Sequence, residues 1–339
     1  IGLIQSTLFA YTTFLFTKEL TRTKISYLAV ATSLLISFNP TLSLSTLAVG
    51  YEAPVAALLM IAVTFLIQDL YTQSDKFVLR NIFVVALCLS ISSFLQPRIL
   101  LFAIAFILFW CLKKSGRKTR GQLLGLTLAL VMLFPSVLIF RNVVANGKPT
   151  ISTNLGVTMR IGAGDDATGG YGVPKTPIPC APKVQGQEVT DNQIVVCVLK
   201  WYVGHPGKAT QLMVNKTFYY WSPWFGPAAN GTMARNPWLK VSPLVGIAKS
   251  EIGNDLIYGG VGKFVSWAWL FGGLLLLASG LIWLWRIGGV ARSIAWLAGI
   301  PVILGWLTSL GTIGDHRFRI PQMGLSLFLQ VAGIYGLGR

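Results

Sequence analysis

Gly314-Asp315-His316-Arg317-Phe318-Arg319-Ile320-Pro321 lies between two apolar runs, at about 293–311 and 320–337. It packs four ionisable side chains into five residues. A charge at the centre of a bilayer costs roughly 2.5–3.5 kcal/mol on insertion scales, and less toward the edge. Charge at the mouth of an apolar run is therefore either paired or in use. The structural reading is a salt bridge from Asp315 to Arg317 or Arg319. The functional reading is an anion site at a membrane edge.

The surrounding composition decides between a soluble and a membrane setting. The 339 residues are 53% hydrophobic and only 12% charged, against about 25% charged in soluble domains. Apolar runs recur at about 2–16, 25–47, 53–70, 81–95, 99–112, 122–140, 264–285, 293–311 and 320–337. Several approach the ~20 residues that a spanning helix needs. The expected fold is an all-α polytopic membrane protein with nine spans. Asn39-Pro40 and Gly50 to Pro54 both punctuate the second and third runs.

The net charge of +17 would suggest nucleic acid in a soluble protein. Here much of it falls in alternate short loops. Lys18, Arg22 and Lys24 follow the first run, and Lys76 and Arg80 the third. Lys113, Lys114, Arg117, Lys118 and Arg120 follow the fifth, and Arg286 and Arg292 the seventh. Alternate loops share a side, and short basic loops mark the cytoplasmic side. A nucleic-acid partner is therefore not expected. The remaining loops, 39–52, 96–98, 141–263 and 312–319, then face out. Topology does not account for the charges on that face: Glu52, Arg98, Asp315, His316, Arg317 and Arg319.

The expected organisation is transmembrane helices over 1–140, a mixed extracytoplasmic domain over 141–263, and transmembrane helices over 264–339. The outer segment holds Cys180 and Cys197, while Cys88 and Cys111 lie in apolar runs as packing residues. Cysteines on an oxidising side pair, and a Cys180–Cys197 bridge would contribute about 3 kcal/mol in the chain-entropy model. Residues 153–172 read TNLGVTMRIGAGDDATGGYG, with Asp165-Asp166 at the centre and Tyr171 near the end. Glycines permit close backbone approach to a ligand, but no Walker or GxGxxG pattern is present. A plain surface turn is the competing reading. Two adjacent carboxylates are also oxygen ligands of the kind a divalent cation takes. Trp201, Tyr202, Phe218, Tyr219, Tyr220, Trp221, Trp224, Phe225 and Trp238 suit a membrane interface or a sugar face, the interface being the favoured reading for most of them. Asn215-Lys-Thr217 and Asn230-Gly-Thr232 match the glycosylation pattern, and His205 reads as a loop residue.

Four of these stretches, in this order, resemble the GT-C glycosyltransferases of the protein O-mannosyltransferase and aminoarabinose-transferase group. They are Leu47-Ala-Val-Gly-Tyr-Glu52-Ala-Pro54, Leu95-Gln-Pro-Arg98, the window Ile151 to Tyr171, and Gly314 to Pro321. The resemblance implies transfer of a sugar from a polyprenyl-phosphate donor to a protein, lipid or cell-wall glycan acceptor at the outer face of a plasma (inner) membrane. It implies no tightly bound cofactor. Arg98, His316, Arg317 and Arg319 would hold the donor phosphate, guanidinium being suited to bidentate contact. Asp165, Asp166 and Tyr171 would lie on the acceptor side. Asp315 would orient Arg317 or Arg319. The family's base follows its first helix; the chain opens on Ile1 inside an apolar run, so that base is expected ahead of Ile1. Glu52 is the best remaining carboxylate. An O-antigen ligase- or polymerase-like enzyme, a non-catalytic GT-C-like subunit and a transporter are the alternatives. A transporter would show internal repeats, and the sequence has none.

The topology has a direct check. Asp166→Cys should react with a membrane-impermeant thiol reagent added from outside, and Arg117→Cys should not; the reverse pattern overturns the arrangement.

Overall fold

The computed structural model describes residues 1–23, 25–46, 50–71, 79–113, 117–152, 154–170, 172, 174–180, 189–221 and 260–339. Every described element is helical: α1 Gly2–Leu20, α2 Tyr27–Phe38, α3 Pro40–Ser45, α4 Glu52–Tyr71, α5 Leu79–Leu95, α6 Ile99–Lys113, α7 Arg117–Val131, α8 Leu133–Asn146, α9 Leu155–Ile161, α10 Asp191–Gly204, α11 Pro206–Trp221, α12 Gly260–Ile287, α13 Gly289–Gly311 and α14 Ile320–Leu337, the last preceded by a 3₁₀ turn over His316–Arg319.

Among the described residues, four helices are long and apolar enough to cross a membrane: α4, the Leu270–Ile287 part of α12, α13, and His316–Leu337. The bent pair α7–α8 makes a fifth if read as one span. This is a helical membrane protein, and among the described residues not every apolar run forms one straight helix of full span length. The differences have local causes. The second run breaks because a residue before proline is driven from the helical region. Asn39 is extended at φ −68°, ψ 115°, and its Oδ1 accepts the Leu42 N–H at 3.0 Å to start α3. α2, α5 and α6 are apolar but shorter, at 10–17 residues. The run at 122–140 bends by 46° between Val131 and Leu133. Pro135 supplies the cause: its ring clashes with the carbonyl four residues back, at Val131. The Phe134 N–H freed nearby is taken by the Ser90 hydroxyl of α5 at 3.0 Å.

α12 and α14 make the most extensive helix pair among the described residues, and glycine lets their backbones touch. A Cβ at Gly280 would overlap the Leu329 carbonyl, and one at Gly333 the Leu276 backbone. Small residues let helix backbones touch where no hydrophobic effect drives association. α4 fills the centre, packed on α1, α5 and α14, with Glu52, Val63, Ile67 and Asp69 among its buried residues.

The polar contacts divide between two ends. At one end Gln5 of α1 reaches the Gly50 carbonyl at 3.4 Å, beside Glu52, the turn at Arg98 and the 3₁₀ turn. At the other, Gln68 donates to Glu19 at 3.0 Å and the Trp110 indole donates to Asp69 at 2.6 Å.

The segment expected as a mixed domain has helices α9–α11 and no strand among its described residues, and α8 runs through the expected boundary at 140 to Asn146. A capping box starts α10, Thr190 and Gln193 each satisfying the other's backbone N–H. Its buried Ile194 and Val198 close a small core with Met159, Ala163 and Ile178. Cys180 and Cys197 are joined, with Cα atoms 5.8 Å apart, and Cys88 and Cys111 are free and buried.

Gly280→Ala and Gly333→Ala should each destabilise the protein by about 1–3 kcal/mol through overpacking. Gly272→Ala, where a Cβ meets nothing within 4 Å, should melt like the parent. Equal melting of all three variants would show that the α12–α14 contact is not tight.

Candidate functional site

Glu52 sits in the first turn of α4, where the helix dipole favours a carboxylate, and it is buried. Gly50 makes room for it, since a Cβ there would collide with Glu52 Oε2. Its Oε1 is ion-paired with Arg317 Nε. The Arg317 guanidinium lies over the Tyr51 ring, 5.0 Å from its centroid.

Asp315 shapes the turn that carries Arg317. Its Oδ1 accepts the Arg317 backbone N–H at 2.9 Å, the N-cap geometry that starts the 3₁₀ turn, and it lies 2.8 Å from His316 Nδ1. Burial works to raise its pKa, but the contacts with His316 and the Arg317 backbone prevail and hold it below the usual carboxylate range. Arg98, in the turn between α5 and α6, stacks on Phe318 at 4.3 Å and donates to the Phe318 carbonyl at 2.6 Å. Arg319 donates to the Trp221 carbonyl at 2.7 Å and lies over the Trp221 ring at 5.6 Å. Gln322, one turn on, donates to Phe318 O at 2.9 Å and to the Tyr220 hydroxyl.

Beneath the turn lies Lys216 of α11, fully buried. Its ammonium donates to the Tyr202 hydroxyl at 2.7 Å and to the Leu310 carbonyl at 3.0 Å. A cation at the last turn of α13 meets the negative end of that helix. Burial pushes its pKa down to about 7. Gly314 lies on the Lys216 backbone so closely that a Cβ would overlap it, and the Gly314 N–H donates to the Gly169 carbonyl at 2.8 Å. The glycine-rich window thus docks directly onto the charged turn.

Three of the four family-like stretches therefore meet at one place through Glu52, Arg98 and 315–319, and the fourth touches them at Gly169. Other expectations change. Asp315 pairs with His316 and a backbone N–H instead of the Arg317 or Arg319 side chain; the 3₁₀ turn carries those guanidiniums toward Glu52 and Trp221. Of the four expected phosphate ligands, Arg317 keeps 35% of its side chain exposed, Arg98 is half-buried, and His316 and Arg319 are buried. Asp165 and Asp166 are exposed, Asp166 accepting from Thr176. Among the described residues no group of three or more His, Cys, Asp or Glu could hold a metal. Tyr171, Trp224, Phe225, Trp238 and the second glycosylation match lie outside the described residues. The first match lies in α11 with the Asn215 amide donating to Thr168 O at 3.1 Å, unlike the surface loop that the pattern implies. Tyr220 and Trp221, expected at a membrane interface, are buried against the site. His205 ends α10, stacked on Trp201 at 4.8 Å.

Lys216, Tyr51, Trp221 and Gln322 were not among the expected site residues. Lys216 had a signal: it falls with Ala209, Leu212 and Tyr220 on the buried stripe of α11, a phase in which a lysine must have a partner. Comparison with protein-family models, curated proteins and solved structures finds no match to this chain.

Lys216 makes stability depend on pH. The unfolded chain holds this proton up to about 10.5 and the folded protein only up to about 7. Between those values the unfolded state binds more protons, so stability rises with pH. The melting temperature of the parent, relative to Lys216→Met, should climb from pH 7 to pH 10. A constant difference would mean that the buried ammonium does not titrate there.

Proposed function

We propose that this protein is a membrane glycosyltransferase of the GT-C type, moving a sugar from a polyprenyl-phosphate donor to an acceptor at the extracytoplasmic face. The observation that carries the reading is the meeting of Glu52, Arg98 and the 315–319 turn at one end of the helices, although Glu52 and Arg317 lie 265 positions apart. The family resemblance rests on those same stretches.

Arg317 is the group that meets the donor, being the most accessible of the site's guanidiniums. Its partner Glu52 is a carboxylate that takes its Nε–H, and a lipid phosphate is an anion able to take two of its N–H groups at once. Exchange of Arg317 from Glu52 to the phosphate places a fixed cation where negative charge grows as the sugar leaves. It also releases the Glu52 carboxylate toward the acceptor side. Arg98 and Arg319 hold Phe318 and Trp221, and so fix the turn that aims Arg317. Asp315 and His316 set the first residues of that turn.

Purified protein given a polyprenyl-phosphate sugar should release the polyprenyl phosphate and glycosylate an acceptor extract. Arg317→Ala should lower that rate by about 10²–10³, the usual cost of removing one charge-stabilising donor, while eluting as a folded species. Parent-level transfer by the folded variant would remove Arg317 from the reaction.

A further inference from the structure

Between α1 and α2 runs a groove of about 390 Å³ lined by Ala10, Thr13, Phe14, Thr17, Lys18, Thr21, Ser33 and Ser37. We propose that it is a binding site for one anionic phospholipid with a hydroxylated headgroup, phosphatidylglycerol being the type. The inference does not depend on the proposed transferase activity, because the groove contains none of the residues of that site.

The lining has an uncommon character for its surroundings. Phe14, Val30, Leu34 and Phe38 project from the same two helices with 53–79% of their surface exposed, as side chains facing lipid do. Yet five of the eight lining residues carry hydroxyls and one is a lysine. A plain acyl chain gains nothing from hydroxyls, so the occupant is amphiphilic.

Hydrogen bonding narrows its chemistry. Thr13 directs its proton to the Phe9 carbonyl at 2.9 Å, Thr17 to Thr13 O at 2.6 Å and Thr21 to Lys18 O at 2.5 Å. What these three threonines present to the groove is lone pairs. On the α1 side the matching ligand therefore brings donors to Thr17 and Thr21, and beside Lys18 an anion. Arg22 adds a second exposed cation one turn on, held at 3.5 Å from Glu19. A phosphate at Lys18 with glycerol hydroxyls on Thr17 and Thr21 satisfies both requirements. Phosphatidylcholine has the phosphate but no headgroup donor, and its own cation opposes Lys18. The acyl chain then lies along Phe14 and Ala10. Basic pockets between helices near a membrane surface are a recognised setting for anionic headgroups.

The test is native mass spectrometry of the full chain released from nanodiscs of phosphatidylglycerol, phosphatidylcholine, or an equal mixture. The parent should retain one phosphatidylglycerol in preference to phosphatidylcholine. Lys18→Gln should weaken that retention about fivefold, the worth of one basic residue at a lipid surface. Ser33→Leu, which fills the groove without changing charge, should lower it as well. Equal retention of both lipids by the parent would overturn the assignment, as would unchanged phosphatidylglycerol retention in both variants with parent-like melting. Loss only in Lys18→Gln would place the lipid on the charged surface outside the groove and also refute the site.

Discussion

The ion pair between Glu52 and Arg317 ties the beginning of the central helix to the turn that opens the last one. Removing one partner from such a pair leaves a buried, uncompensated charge, which costs far more than the pair itself contributes. Glu52, given room by Gly50 and favoured by the α4 dipole, receives Arg317 from a 3₁₀ turn that Asp315 starts. The same turn brings Phe318 and Arg319 to Arg98 and Trp221.

A second regularity follows from composition. The chain has 28 Lys and Arg against 11 Asp and Glu, so most cations cannot pair with a carboxylate. The structure repeats another solution. Arg98 takes the Phe318 carbonyl and ring, and Arg319 the Trp221 carbonyl and ring. Lys216 takes the Leu310 carbonyl and the Tyr202 ring, and Arg292 the Trp285 carbonyl and ring. Carbonyls at helix ends carry partial negative charge, and ring faces add to it. A backbone carbonyl with an aromatic face does the work of a missing acid.

This explains what could be read from the sequence and what could not. Glu52, Arg98 and the 315–319 turn stood out because charge at the edge of an apolar run demands a reason. That they share one end followed from the alternation of loops. The partner of Asp315 did not follow, because pairing within a five-residue segment depends on whether it is helical, extended or a 3₁₀ turn. Tyr220 and Trp221 were misplaced because a ring at an interface and a ring in a core are the same letters; only the phase of α11 separates them. The runs at 25–47 and 122–140 do not form straight single helices because apolar content says nothing of the break at Asn39-Pro40 or the bend near Pro135.

The glycine contact of α12 with α14 bears on movement. At Gly280 and Gly333 the two helices meet with no side chain interposed to change rotamer, so a slide there drives one backbone against the other. The 3₁₀ turn continues directly into α14 and so belongs to this fixed pair. The turn that carries Arg317 is thus tethered to a backbone contact on one side and to Glu52 on the other.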